Sequence, residues 1–419
     1  MQNPCVTWAA GSTIYEVNIR QYTPEGTFRA FAKHLPRLQA MGVGIIWLMP
    51  ITPISKLNRL GTLGSYYACS SYTAINEEYG TLHDFIALVE NVHALGMKLI
   101  IDWVANHTGW DHEWTIPHAD WYIQDASGNF TEKNGWKDVI DLDYTKVDMR
   151  DAMKAAMKYW VDIAGIDGFR CDMAHLVPLD FWQTAKAYCE KDKPLYWLAE
   201  CDQSDYHSVF NTSYAWSWMH ATEKYHKGEG SLHDLRQVLH SYSQYPAGAT
   251  KLFFTSNHDE NSWNGTEYEK YGIAAMAWTV FCFTFNGIPL IYSGQEIPLK
   301  RRLAFFQRDT IDWKFPPALS QFYFLLSDLR KRNLAISNGE TYWLPSPHDH
   351  QVLLYFRKNQ EQVVLVMLNV SNDSRLTIHI EHPWLPGNYR QLFSQLEYSF
   401  TEKASFELQA GEYLVYEKI

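Results

Sequence analysis

Short apolar runs recur along the first three quarters of the chain, and each pair of neighbours is separated by enough sequence for a helix. The runs begin near residues 14, 44, 98, 167, 195, 210, 251 and 289, the one near 210 being the weakest. Residues 97–104, Met-Lys-Leu-Ile-Ile-Asp-Trp-Val, show the type. Its apolar residues do not alternate with polar ones, so a strand formed there is covered on both faces. Between the runs, residues 27–41, 82–95, 153–164, 179–190, 231–242 and 271–283 carry apolar residues at helical spacing. Buried strands alternating with amphipathic helices build a parallel sheet. Eight such units predict a (β/α)8 barrel. A doubly wound open sheet is the competing α/β arrangement, but it calls for a glycine-rich phosphate loop after the first strand, which this sequence lacks.

Two segments break the alternation. Residues 106–143 are polar, aromatic and aperiodic, and a connection of that length in a compact domain is usually functional. It leaves the third strand on the face where barrels keep their active sites. Beyond residue 338, short apolar or alternating runs are separated by turn sequences such as Asn372-Asp373-Ser374 and Pro386-Gly387-Asn388. The predicted organisation is a barrel from residues 1–105 and 144–338, a short insertion at 106–143, and a C-terminal antiparallel β-sandwich at 339–419.

A net charge of −11 argues against a nucleic-acid partner, whose binding rests on clustered Lys and Arg. No run is long enough to span a membrane, so no membrane partner is expected. The residues Met1-Gln2-Asn3-Pro4-Cys5 lack the pattern of a secretory leader, which makes a cytoplasmic location the expectation, or a secreted one if a leader was trimmed. Cys5, Cys69, Cys171, Cys189, Cys201 and Cys282 are scattered and read as reduced, buried small residues. Most of the 17 tryptophans read as core. Trp110, Trp114, Trp121, Trp136 and Trp263, however, lie in polar, loop-like sequence. At least one of Trp110, Trp114 and Trp136 is expected to face a flat apolar ligand surface, such as that of a sugar ring.

Chemistry concentrates at the strand ends. Strand three ends in Asp102-Trp-Val-Ala-Asn106-His107, strand four in Arg170-Cys-Asp172, strand five in Ala199-Glu200 and strand seven in Asn257-His258-Asp259. Any one of these could be a structural network; four carboxylate-bearing ends on one face point to catalysis. Arg170 and Asp172, two residues apart in a strand, project to one side. A neighbouring guanidinium keeps a carboxyl ionised, as a carboxylate nucleophile requires. Glu200 follows the apolar run Leu195-Tyr-Trp-Leu-Ala, and apolar surroundings raise a carboxyl pKa as a general acid requires. Retaining glycoside cleavage needs such a pair about 5 to 5.5 Å apart. Adjacent strands about 4.8 Å apart can supply it. Asp259 would be a third carboxylate for sugar hydroxyls, with His107 and His258 beside it.

These motifs, in this order, together with Gly64-Ser-Tyr-Tyr67, Tyr72-Thr-Ala-Ile-Asn76 and Tyr79-Gly80-Thr81, resemble the α-amylase family of retaining glycoside hydrolases over nearly the whole chain. The resemblance implies Asp172 as nucleophile, Glu200 as general acid/base and Asp259 as transition-state stabiliser. It implies Tyr67, His107, Arg170, His258, Asp102 and His175 around the sugar. It makes the insertion the family's small B domain. It also raises a structural calcium, for which Asn106 and Asp141 are the matched ligands; no cofactor is required for the chemistry.

The sequence departs from the family where a Lys-His pair often follows the nucleophile, having His175-Leu176 there. It lacks the Gln-Pro-Asp-Leu-Asn pattern of relatives that cleave α-1,6 bonds, which favours α-1,4-glucans or maltooligosaccharides as substrates. Glu260-Asn261-Ser262 after Asp259 offers no arginine for a chloride site. The expected activity is α-amylase-like hydrolysis. A transglycosylase or exo-acting α-glucosidase with the same residues is the alternative, and a non-catalytic carbohydrate-binding barrel the more distant one.

Overall fold

The computed structural model describes residues 6–419. Eight parallel strands close into a barrel: Ile14–Val17, Ile45–Leu48, Lys98–Trp103, Gly168–Cys171, Tyr196–Ala199, Thr212–Tyr214, Thr250–Phe253 and Ile288–Tyr292. They are numbered one to eight below. Strand one pairs with both strand two and strand eight, which closes the sheet without an edge. All eight strands are buried except at the first residues of strands three and seven, consistent with their unbroken apolar runs. Gly168 opens strand four because strand five runs so close there that a Cβ would lie 2.0 Å from the Tyr196 carbonyl oxygen.

The helices follow their sequence signals where those signals are strong. Helix Leu82–Ala94 starts at a capping box between Thr81 and Asp84, and helix Leu232–Tyr242 at one between Ser231 and Asp234. Helix Val147–Ala164 stops at Gly165, whose left-handed backbone (φ 71°) ends the helix and leads into strand four. Helices Trp216–Lys227 and Ser320–Arg332, absent from the sequence reading, start at Ala215 and Leu319, neither of which has a capping side chain to mark a start. The run that begins near residue 14 is a strand only to Val17. The chain then turns, with the Asn18 carbonyl accepting from the amides of Gln21 and Tyr22. The helix expected over residues 27–41 splits into Phe28–Ala32 and Leu35–Ala40, the break falling just before Pro36.

Insertion residues His107–Gly109 and Val139–Asp141 form a two-stranded antiparallel ladder that pins both ends of the loop. Inside it Trp114 packs on Tyr72 and Trp121, with ring centroids about 5 Å apart. After residue 339 a six-stranded antiparallel sheet and the pair Leu376–Glu381 with Lys403–Leu408 enclose a separate apolar core containing Leu354, Met367, Ile378 and Leu408. Trp47, Trp103, Trp160, Trp182, Trp197, Trp218 and Trp278, seven of the 17 tryptophans, are fully buried in the core. Cys69, Cys171, Cys189, Cys201 and Cys282 are buried and unpaired; Cys5 and the rest of the first five residues lie outside the described residues. Among the described residues no helix is long and apolar enough to cross a membrane.

Candidate active site

Arg170 organises the site. It is fully buried on strand four, directly opposite Asp102 of strand three in the ladder. Nη1 lies 2.9 Å from both Asp102 Oδ1 and Asp172 Oδ1. Nη2 lies 2.9 Å from Glu200 Oε2, off the N–H axis, which makes an ion pair rather than a hydrogen bond. Nε donates to the Tyr214 hydroxyl. The rings of Trp47, Tyr67 and Tyr214 surround the cation at 5.1 to 5.8 Å, a desolvated cation–π cage.

Asp172 and Glu200 sit one residue beyond the register pair Cys171–Ala199, so they are neighbours across strands four and five. The Glu200 amide donates to the Cys171 carbonyl, and the Met173 amide donates to Glu200 Oε2 at 2.8 Å. Met173 adopts a left-handed conformation (φ 41°) to present that amide. Both carboxyls line a cavity of about 320 Å³, with Tyr67, His107, Asp259, Trp136, Trp263, Phe305 and Phe306 among its walls.

The electrostatics correct one expectation. The sequence reading has Arg170 holding Asp172 low, but burial pushes Asp172 up to about 6, and Arg170 only partly offsets this because Asp102 draws on the same cation. Burial likewise pushes Asp102 up to about 6 and Glu200 up to about 7. The order still places Asp172 below Glu200. Burial opposes the charge on Asp259 too, but the adjacent His258 more than compensates and its carboxyl lies below the usual range.

The remaining candidates fall in three places. Tyr67 lines the cavity and donates from its hydroxyl to Asp102 Oδ2 at 3.0 Å. His107 also lines it; burial lowers its pKa to about 4, and its Nδ1 accepts from Asn106 Nδ2, so the neutral ring carries its proton on Nε2. His258 and Asp102 stand behind this layer, buried and engaged with protein partners. His175 is not among the residues lining the cavity, and its Nδ1 is buried without a hydrogen-bond partner. Trp136 faces the cavity, its ring 5.4 Å from His107, whereas Trp110 and Trp114 pack within the insertion.

Asn106 and Asp141 are the two positions matched to a structural calcium. Asn106 turns its amide nitrogen to His107, and Asp141 offers one buried unpartnered oxygen, Oδ1. Among the described residues no cluster of three or more His, Cys, Asp or Glu side chains could hold a metal ion, and Ca²⁺ takes about six to eight oxygens.

Sequence reading missed Glu16, Tyr214, Phe305 and Phe306. Glu16 left a signal, a lone acid in the apolar run Ile14-Tyr-Glu-Val. The two phenylalanines reach the cavity from the connection after strand eight and carried none.

A closed parallel barrel with an acid pair on strands four and five and a third carboxylate after strand seven defines a class of glycoside-processing barrels. The profile of the α-amylase catalytic domain matches residues 9–125 and 115–213. The chain belongs to the α-amylase family. The crystal structure of a noncanonic maltogenic α-amylase from Thermotoga neapolitana superposes with a TM-score of 0.91 at 29% identity, covering 99% of this chain and all of that one. An α-amylase from Lactobacillus plantarum gives 0.90 at 28% identity, with the same coverage. A Haloarcula japonica α-amylase is 26% identical over 87% of this chain, and the chain spans 56% of its length; for an α-amylase of Dictyoglomus thermophilum the values are 23%, 87% and 85%.

Proposed function

We propose that this chain is a retaining α-glycosidase that hydrolyses α-1,4-glucosidic bonds of starch-like glucans or maltooligosaccharides. The observation carrying the reading is a single buried guanidinium shared by two neighbouring carboxyls, Asp172 and Glu200, which line one cavity. Asp172 attacks the anomeric carbon while Glu200 gives its proton to the departing glycosidic oxygen, forming a glycosyl ester on Asp172. Glu200, now a carboxylate, takes a proton from water. The oxygen of that water bonds to the anomeric carbon, and Asp172 leaves as a carboxylate. Two inversions retain the α-configuration. Asp259, kept anionic beside His258, faces the positive charge that develops on the sugar ring. Tyr67 and His107 bound the sugar, and Trp136 offers it a flat face.

A second reading is transfer to a sugar instead of water. The aromatic wall of Trp136, Trp263, Phe305 and Phe306 supports it, since such a surface holds an acceptor sugar and disfavours water. Relatives matched over part or most of the chain include a maltosyltransferase from Salinibacter ruber and a trehalose synthase from Pimelobacter. The buried, unpaired cysteines support a reducing, cytoplasmic setting.

Wild-type protein is expected to release reducing sugar from soluble starch, and Asp172→Ala to abolish that release. No activity on any α-glucan would sink the proposal. Excess acceptor sugar separates the two readings: a transferase gives lengthened products where a hydrolase gives shortened ones.

A further inference from the structure

His258 lies behind the cavity with both ring nitrogens committed. Nδ1 is 2.5 Å from Glu16 Oε1 on strand one, two strands away around the barrel. Nε2 is 2.8 Å from the Tyr67 hydroxyl and 3.2 Å from Asp259 Oδ2. Proton accounting fixes the donors. The Tyr67 hydroxyl has one hydrogen and gives it to Asp102 Oδ2, so toward His258 it can only accept. Nε2 must therefore carry a proton, and Nδ1, facing a carboxylate, must carry one as well.

We propose that Glu16 is a positioning residue: it holds His258 as a doubly protonated imidazolium, and that cation fixes the Tyr67 hydroxyl and the Asp259 carboxylate at the cavity wall. The charged groups around the ring are Glu16 from strand one, Asp102 from strand three, Arg170 from strand four and Asp259 beside His258 itself. Burial disfavours the imidazolium, but Asp259 and Glu16 outweigh it and raise His258 well above its ordinary value. Trp47 meets the ring edge-on and Tyr67 stacks on it, leaving little room for another orientation. Glu16 itself is fully buried and its backbone carbonyl is held by Ser293, so its side chain has a fixed anchor. The effect on turnover rests on the glycosidase reading; the protonation of His258 does not.

The test is ¹⁵N NMR of histidine-labelled protein across a pH series, with His258→Gln used to assign the resonance. His258 in the wild type is expected to stay doubly protonated well above the pH at which an ordinary histidine loses its charge, and in Glu16→Gln to titrate at least about two units lower, a hundredfold fall in the charged-to-neutral ratio. Glu16→Asp, which keeps the charge, is expected to restore most of the difference. In a glycosidase assay Glu16→Gln should gain a loss of kcat/KM that tracks the His258 titration. An ordinary His258 titration in the wild type overturns the inference, as does a ring that stays doubly protonated in Glu16→Gln. Should Glu16→Gln fail to fold, Glu16→Ala takes its place in the same titration. An inactive wild type whose His258 is doubly protonated and loses that proton in Glu16→Gln would uphold the role of Glu16 and sink the glycosidase reading.

Discussion

Replacing Arg170 with Met removes the one cation that Asp102, Asp172 and Glu200 share while keeping an unbranched side chain of similar reach. At an effective dielectric of about 20, a charge pair about 4 Å apart is worth about 4 kcal/mol, or up to about three pKa units. Asp172 starts at about 6. Losing a contact of 2.9 Å should carry it to roughly 8 or 9 by this arithmetic. At neutral pH the ionised fraction of the nucleophile then falls from about nine-tenths to between one-tenth and one-hundredth, and the rate falls roughly 10- to 100-fold. Glu200 loses its own ion pair in the same substitution and rises too. The whole pH profile should therefore move to higher pH, rather than only shrink. The assay is kcat/KM on an aryl α-maltooligosaccharide across the pH range, beside a thermal melt, since breaking a buried pair costs about 3 to 5 kcal/mol. Arg170→Lys, with one ammonium for three carboxylates, should fall between. A folded Arg170→Met whose activity limbs stay at wild-type pH would refute the reasoning and reduce Arg170 to a structural tie.

Wild-type enzyme should show a narrow bell-shaped pH profile. Activity rises as Asp172 deprotonates near about 6 and falls as Glu200 deprotonates near about 7, and Glu200→Gln assayed on a substrate with a good leaving group should lose the alkaline limb. Trp136→Ala removes a flat face from the cavity and should raise KM about five- to thirty-fold, worth about 1 to 2 kcal/mol, with kcat kept; an unchanged KM would place that ring outside the sugar's path. Chelation with EDTA should leave the melting temperature unchanged, because Asn106 and Asp141 do not complete a calcium cage; a clear fall would mean that backbone oxygens and water finish the site.

The legible parts of this molecule are those in which one residue type has one physical reason to be where it is. Unbroken apolar runs mark barrel strands because both faces are covered, and the carboxylates at their ends stand out against those runs. Glycine at position 168 is needed where strand five crowds it. Helices Trp216–Lys227 and Ser320–Arg332 were lost for the opposite reason: packing alone starts them, and no cap announces it. The cavity walls at Phe305 and Phe306 depend on where a long connection lies after strand eight, which periodicity does not encode.

The most instructive gap concerns Asp172. A sequence displays that an arginine stands two residues away, and adjacency alone argues for a strongly acidic nucleophile. It does not display competition. In the folded barrel Asp102 faces the same guanidinium from strand three and Glu200 meets it from strand five, while burial disfavours all three anions together. One cation divided among three carboxyls cannot hold any of them far below neutrality. Glu200 has the off-axis ion pair and the Met173 amide, and Asp172 has the aligned Nη1 contact; these contacts oppose the rise that burial imposes on both carboxyls without cancelling it. A raised acid pair is therefore a property of how a third residue is shared, and it exists only once strands three, four and five are in register.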